Sequence, residues 1–396
     1  MSLFDKFQPI IDARTELQHL GIMPFGAITE KLLSSTEGIV NGRRVILAGT
    51  NNYLGLTFDP ECIVAAKVAI EEQCTGTTGS RMANGTFTEH VLLEQELAAF
   101  FNRRHAIVFT TGYAATSGMC ATLAGPGDMI VLDADSHASI YDGVRLSGAD
   151  IVRFRHNDVA DLEKRLRRLG DRLSNTLIIV EGIYSMLGDR APLREIAALK
   201  RRYGGMLLVD EAHSMGMLGD HGRGVAEQAG VEDDVDFIAG TFSKSLGAIG
   251  GYCVSNHPEL DAVRFATRSY IFTASPSPSV IASTRAALRI LQERPQLREQ
   301  LWANARQLYH GLEALGFRVS PEVSPVVAVT VEDRGQSIQW WNRLLESGVY
   351  VNLVMPPASP GNYSLLRCSM SAAHTPEQID RILAVFATLR DSAPPG

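Results

Sequence analysis

The sequence predicts an α/β fold: a mostly parallel central sheet with helices on both faces, then a smaller α+β C-terminal domain. Three observations predict it. Short, nearly unbroken apolar runs recur from about residue 105. Amphipathic stretches such as DLEKRLRRL (161–169) and LREIAALKRR (193–202) separate most of them. After Pro258 the pattern changes to longer helical periodicities. Strand, helix, strand at this spacing means parallel pairing, because only a crossover returns the chain in the same direction.

Residues 1–45 look helical and then irregular, and form an N-terminal arm. The large domain, 46–275, holds the runs AIVFT (106–110), MIVLDA (129–134), DIVRF (150–154), TLIIVEG (176–182), MLLVDEA (206–212), DFIAGTF (236–242) and GYCVSN (251–256). Each is read as a strand of that sheet. The Pro/Ser-rich SPSPS (275–279) marks the join to a small domain, 276–396. That domain begins with helical patterns over 278–293 and 295–314. VVAVTVED (326–333), a helix near 336–347, VYVNLVM (349–355), SLLRCSMS (364–371) and a last helix from Thr375 follow. The tail DSAPPG reads as frayed.

Composition narrows the function classes. With 45% apolar and 20% charged residues, the chain of 396 residues can build a large core, which excludes disorder. A net charge of −7 argues against a general nucleic-acid binder. Five scattered cysteines form no C-x-x-C pair and read as reduced thiols in a cytoplasmic protein. Asp5 and Lys6 interrupt the stretch where a signal peptide needs apolar residues. The uncharged run Ala106 to Gly127 is long enough to span a bilayer. Its four glycines and Pro126 make it strand, turn and helix instead.

Four segments could carry chemistry, each at the carboxyl end of an expected strand, where open α/β sheets bind ligands. In GTFSKSLG (240–247), Lys244 sits among small hydroxyl residues and glycine. A desolvated amine there would be a Schiff-base nucleophile. Taken alone, the segment fits a surface lysine in a turn better. In LLVDEAHSMG, Asp210 could keep a heteroaromatic nitrogen protonated and His213 could bond a ring oxygen. A metal site or a helix cap is the other reading, although no further ligand motif accompanies it. In FTTGYAAT, Gly112 allows a tight turn and a helix starts near Tyr113. Its free N–H groups and dipole suit a phosphate. Thr241 and Ser243 offer hydroxyls to the same group. In LDADSHASIYDG, His137 could stack on a planar cofactor or simply cap a helix.

The order of T-G-Y, D-S-H-A-S, E-G-x-Y-S-M, D-E-A-H-S and G-T-F-S-K-S resembles the α-oxoamine synthases, pyridoxal 5'-phosphate (PLP) enzymes of fold type I. The likeness runs from about residue 20 to 385. LDADSHASIYDG, IVRFRHN, VDEAHSMG, GTFSKS, YIFTAS and LLRCS are closest to the branch that uses serine and a long-chain acyl thioester.

The resemblance implies roles. Lys244 would hold the cofactor and act as acid/base at the substrate α-carbon. Asp210 would pair with the pyridinium nitrogen, His213 with the ring oxygen, and His137 would stack on the ring. Gly112, Tyr113, Thr241 and Ser243 would hold the phosphate, with Thr273 and Ala274 reaching in from the partner of a homodimer. Asn52 and Ser185 would lie near the substrate. Arg367 would hold its carboxylate, and the segment around Pro356 and Pro357 would act as a lid.

The implied reaction is decarboxylative condensation of L-serine with a long-chain acyl-CoA, giving a 3-keto long-chain base, CO2 and CoA. The same chemistry on glycine or alanine with another acyl thioester stays open, as do an acyl-carrier-protein donor and loose inner-membrane association. A non-catalytic scaffold subunit is disfavoured by the presence of Lys244. The basic stretch KRLRRLGDR (164–172) reads as a solvated helix face rather than a contact for CoA phosphates. GTTGSRMANGT (76–86) lacks the Walker pattern; the likeness places it by a neighbouring active site, with Arg81 structural.

Overall fold

A computed structural model describes residues 2–19 and 24–390. They form two compact units. The larger comprises residues 51–303 and 371–373, the smaller the remainder.

The larger unit is built on seven strands: β1 (His105–Phe109), β2 (Met129–Asp133), β3 (Asp150–Phe154), β4 (Thr176–Glu181), β5 (Met206–Asp210), β6 (Phe237–Thr241) and β7 (Gly251–Ser255). Each falls where an apolar run predicts it. Their spatial order is β1-β7-β6-β5-β4-β2-β3. Neighbours from β3 through β6 pair in parallel, while β7 runs antiparallel to both β6 and β1.

The sequence explains the layers. Strands β2, β4, β6 and β7 are buried along their whole length, as unbroken apolar runs require between two helical faces. Strand β3, at the edge, is mostly exposed and carries charges. Under the sheet Phe109, Met119, Ile130, Leu132, Ile179 and Leu208 form one apolar cluster. Helices Gly112–Leu123, Ala138–Ser147, Val159–Leu169 and Leu193–Tyr203 follow β1, β2, β3 and β4. All strands except β7 run the same way, so their carboxyl ends share one edge of the sheet.

In the smaller unit Arg43–Leu47 pairs with Glu37–Val40 and with Val349–Tyr350, and Glu37–Val40 pairs with Thr29–Leu32. A second sheet orders Val326–Val331, Ser364–Ser369 and Asn352–Val354. Two expectations are corrected here. The segment before residue 45, read as irregular after its helix, holds two strands and the start of a third. Thr29–Leu32 is exposed throughout, so no apolar alternation announces it. The unit limits also differ from breaks at 45 and 275. Pro278–Glu293 packs on Pro60–Gln73 inside the larger unit, while the N-terminal strands pair with a C-terminal one. The tail beyond residue 390 lies outside the described residues. Among those described, no helix is long and apolar enough to cross a membrane.

Candidate active site

A cleft of about 330 Å³ opens at the carboxyl edge of the sheet, within the larger unit. Gly112, Tyr113, His137, Asp210, His213, Thr241, Ser243 and Lys244 all line it. Segments more than a hundred residues apart meet because parallel strands deliver their ends side by side.

One end of the cleft is backbone and hydroxyl. Thr111 caps the helix Gly112–Leu123, its Oγ1 accepting from Ala114 N at 2.9 Å. The helix therefore points a positive terminus and its first N–H groups into the cleft. Thr241 packs so close that a Cβ on Gly112 would lie 2.6 Å from the Thr241 Cβ. Only glycine permits that approach. Thr241 Oγ1 lies 2.9 Å from Ser243 Oγ and donates to Gly250 O at 2.9 Å. The cradle fits a phosphate by its donors and the sign of its charge.

The other end is made of buried side chains. Asp210 closes β5 and is 5% exposed. Thr116 Oγ1 donates to its Oδ2 at 2.9 Å, and Ala212 N to its Oδ1 at 2.9 Å. His213 Nδ1 lies 2.7 Å from the hydroxyl of Tyr53, which is wholly buried. His137 caps the helix Ala138–Ser147; its Nδ1 accepts from Ser139 N at 3.2 Å and lies 2.8 Å from Ser139 Oγ. The neutral ring thus keeps its proton on Nε2. Its face is open to the cleft, yet the flanking walls strip enough water to lower its pKa below the ordinary 6.5. The Lys244 charge pushes the same way and Asp210 opposes both.

Glu181, at the end of β4, pairs in register with Asp210. It accepts from His137 N at 2.5 Å. Burial, then repulsion from Asp210, holds its carboxyl well above the usual range.

Lys244 is half-buried in the turn between β6 and β7. Its neighbours pin the turn: Gly247 N donates to Lys244 O at 3.0 Å, and Ser245 Oγ to Met215 O at 2.6 Å. The turn is therefore an anchored one, unlike the surface turn that the segment alone suggests. The reading of Asp210 and His213 as a metal pair gains no support. Among the described residues no group of three or more His, Cys, Asp or Glu gathers to hold an ion.

The remaining expected residues stand apart from the cleft lining. Asn52 is buried next to Tyr53; its Nδ2 donates to Thr57 Oγ1 at 2.7 Å and its Oδ1 has no hydrogen-bond partner. Ser185 is half-buried in the turn after β4. Thr273 and Ala274 do not line this chain's own cleft. Arg367 belongs to the smaller unit, buried in Ser364–Ser369 with its guanidinium donating to Ser369 Oγ at 3.0 Å.

Four site residues escape the sequence reading: Tyr53, Thr116, Glu181 and Ala212. Thr116 stands one helical turn beyond Gly112, and Glu181 ends an apolar run as Asp210 does. Those positions were visible signals. Tyr53 gave none, since its partner lies 160 residues away.

The family model described as aminotransferase class I and II matches residues 43–386. Serine palmitoyltransferase of Caulobacter vibrioides is 59% identical, over 98% of this chain and 96% of its own length. That of Sphingomonas paucimobilis is 51% identical, over 97% and 92%. A solved structure described as SPT with PLP internal aldimine superposes with a TM-score of 0.96 at 50% identity, covering 99% of both chains. By contrast, 8-amino-7-oxononanoate synthase of Geobacter metallireducens is 39% identical, over 89% and 91%. With its seven-stranded sheet and this cleft, the chain belongs to the aminotransferase class I and II family.

Proposed function

We propose that this protein condenses L-serine with a long-chain acyl-CoA, using pyridoxal 5'-phosphate, to give 3-oxosphinganine, CO2 and CoA, the entry reaction of sphingolipid synthesis. One observation carries the reading: Lys244, Asp210, His213 and His137 converge on a single cleft beside a phosphate cradle. The chain around them is 59% identical to a serine palmitoyltransferase and 39% identical to an 8-amino-7-oxononanoate synthase.

The residues fit the cofactor. The positive helix terminus, Gly112, Tyr113, Thr241 and Ser243 suit its phosphate, Asp210 its ring nitrogen, His213 its ring oxygen and Lys244 its aldehyde. Bound there, the cofactor supplies a protonated ring that draws off the electron pair left at a substrate carbon. Everything else is the chain's own work. Asp210, fixed by Thr116 and the Ala212 amide, presents a charge that keeps a ring nitrogen protonated. Tyr53 orients His213. His137, kept neutral by its surroundings, offers a flat face and an Nε2–H toward the substrate carboxylate. The Lys244 amine takes and returns the proton at the substrate α-carbon. Arg367 holds the serine carboxylate, and Asn52 and Ser185 help bind substrate. A fixed carboxylate decides which bond lies perpendicular to the ring, hence which bond breaks.

The active unit is a homodimer in the cytoplasm, with Thr273 and Ala274 completing the partner's phosphate site. Supporting this, neither residue serves its own cleft. The test is spectral titration of PLP-loaded protein with serine, glycine and alanine, then a thioester chain-length series. Serine saturation and long-chain preference are expected; tighter alanine binding would overturn the substrate assignment. Lys244→Ala should abolish condensation, and measurable turnover by that variant would overturn the assignment of the nucleophile.

A further inference from the structure

His156 stands just beyond β3 in the string IVRFRHN, outside every role above. It is partly buried, and each ring nitrogen meets a carboxylate. Nδ1 lies 2.8 Å from Asp133 Oδ1, and Nε2 lies 2.7 Å from Asp189 Oδ2. Asp133 ends β2 and is fully buried; Asp189 lies in the turn after β4. Asn157 doubles the link: its backbone N donates to Asp133 Oδ2 at 2.8 Å, and its Nδ2 to Asp189 Oδ2 at 2.9 Å. Tyr184 packs edge-on against the His156 ring at 4.5 Å. A neutral imidazole has one N–H and cannot donate to both carboxylates; an imidazolium can.

Two of the three segments joined here carry expected site residues. Asp133 also accepts from Asp135 N at 2.8 Å, two residues before His137. Asp189 closes the turn that holds Ser185, where Tyr184 N donates to Asp189 O at 2.9 Å. We propose that His156 is a positioning residue: clamped between Asp133 and Asp189, it ties the segments after β2, β3 and β4 together and so sets His137 and Ser185 against the substrate.

Electrostatics agree. Burial alone would lower the His156 pKa, but the hydrogen bonds and charges of Asp133 and Asp189 overturn this and push it up to about 10. Asp135 and Tyr184 are the other titratable groups facing it. The folded value stands above the ordinary 6.5, so the clamp contributes its full stability below about 6.5 and loses it as pH rises toward 10.

The inference rests on the substrate reading above, and the experiment separates the two. PLP-loaded wild type and His156→Gln are titrated with serine by visible absorbance, and hydrogen exchange is followed in both. Wild type that fails to bind serine refutes the substrate reading. If wild type binds, His156→Gln should bind serine about tenfold more weakly. Its cofactor loading should be unchanged, with faster exchange confined to residues 134–137, 155–158 and 183–190. The gap in melting temperature between wild type and variant should close from pH 6.5 to 10. Should His156→Gln not fold, Asp189→Asn keeps the shape and should weaken serine binding in the same direction. Equal serine affinity, a pH-independent gap, or loss of cofactor in step with serine would overturn the proposal.

Discussion

The two ends of the cleft are built on different principles. The phosphate end is backbone, hydroxyls and one close approach, that of Gly112 to Thr241. Almost no charge is buried there; a helix terminus supplies the field. The ring end buries ionisable groups at the ends of adjacent strands and must satisfy each one. Asp210 has two donors, whereas Glu181, opposite it in register, has the His137 amide. Two carboxylates of one shape are thereby given different work. Asp210 faces the cleft with its charge braced, and Glu181 is pushed toward its protonated form and fastens a backbone. On the function proposed above, the first end would supply affinity and the second reactivity.

That division can be broken or sharpened. The largest effect is expected at the ring end. Asp210→Asn should slow exchange of the serine α-proton by at least about 100-fold while cofactor still loads. Proton exchange by NMR checks it; wild-type exchange would remove Asp210 from its role. At the phosphate end, Gly112→Ala should weaken cofactor affinity by about tenfold or more, because a methyl group would collide with Thr241. Saturating cofactor should restore most turnover. Failure to restore it would mean that the two ends are not separable. Tyr53→Phe removes one hydrogen bond to His213 and should lower kcat by about fivefold, measured at saturating serine. An unchanged kcat would show that His213 needs no orienting partner. The smallest effect is Glu181→Gln. The folded pKa of Glu181 is raised above 4.5, so the wild type is best served below that value and loses stability as pH rises. The neutral variant should gain in relative melting temperature with rising pH; a constant difference would place a charge on Glu181 throughout.

The sequence and the structure agree best where one residue's chemistry forces its surroundings. Six of the seven strands of the larger unit were legible because burial leaves nearly unbroken apolar runs; β3, mostly exposed at the edge, was legible from the spacing of strand and helix around it. Lys244, Asp210, His137 and Gly112 were each ambiguous taken alone; the order of their motifs, through the family resemblance, singled them out, and the fold brings all four to one cleft. The strand Thr29–Leu32 was not, since its side chains are all exposed and polarity does not alternate along it. Nor were Tyr53 and the Asp133–His156–Asp189 clamp. Their meaning lies in partners far along the chain, and no local pattern encodes a contact. The grouping of residues 1–50 with the C-terminal unit was hidden for the same reason.

The single reversed strand, β7, has one more consequence. Gly251 pairs with Thr241 on one side and Phe109 on the other. The hairpin bearing Lys244 and the start of the helix at Gly112 are therefore stitched to the same backbone position. The lysine cannot drift from the phosphate seat without tearing the sheet. The span between the two is a fixed gauge, cut to one length of guest, and a longer hairpin would spoil the measure before it disturbed the fold.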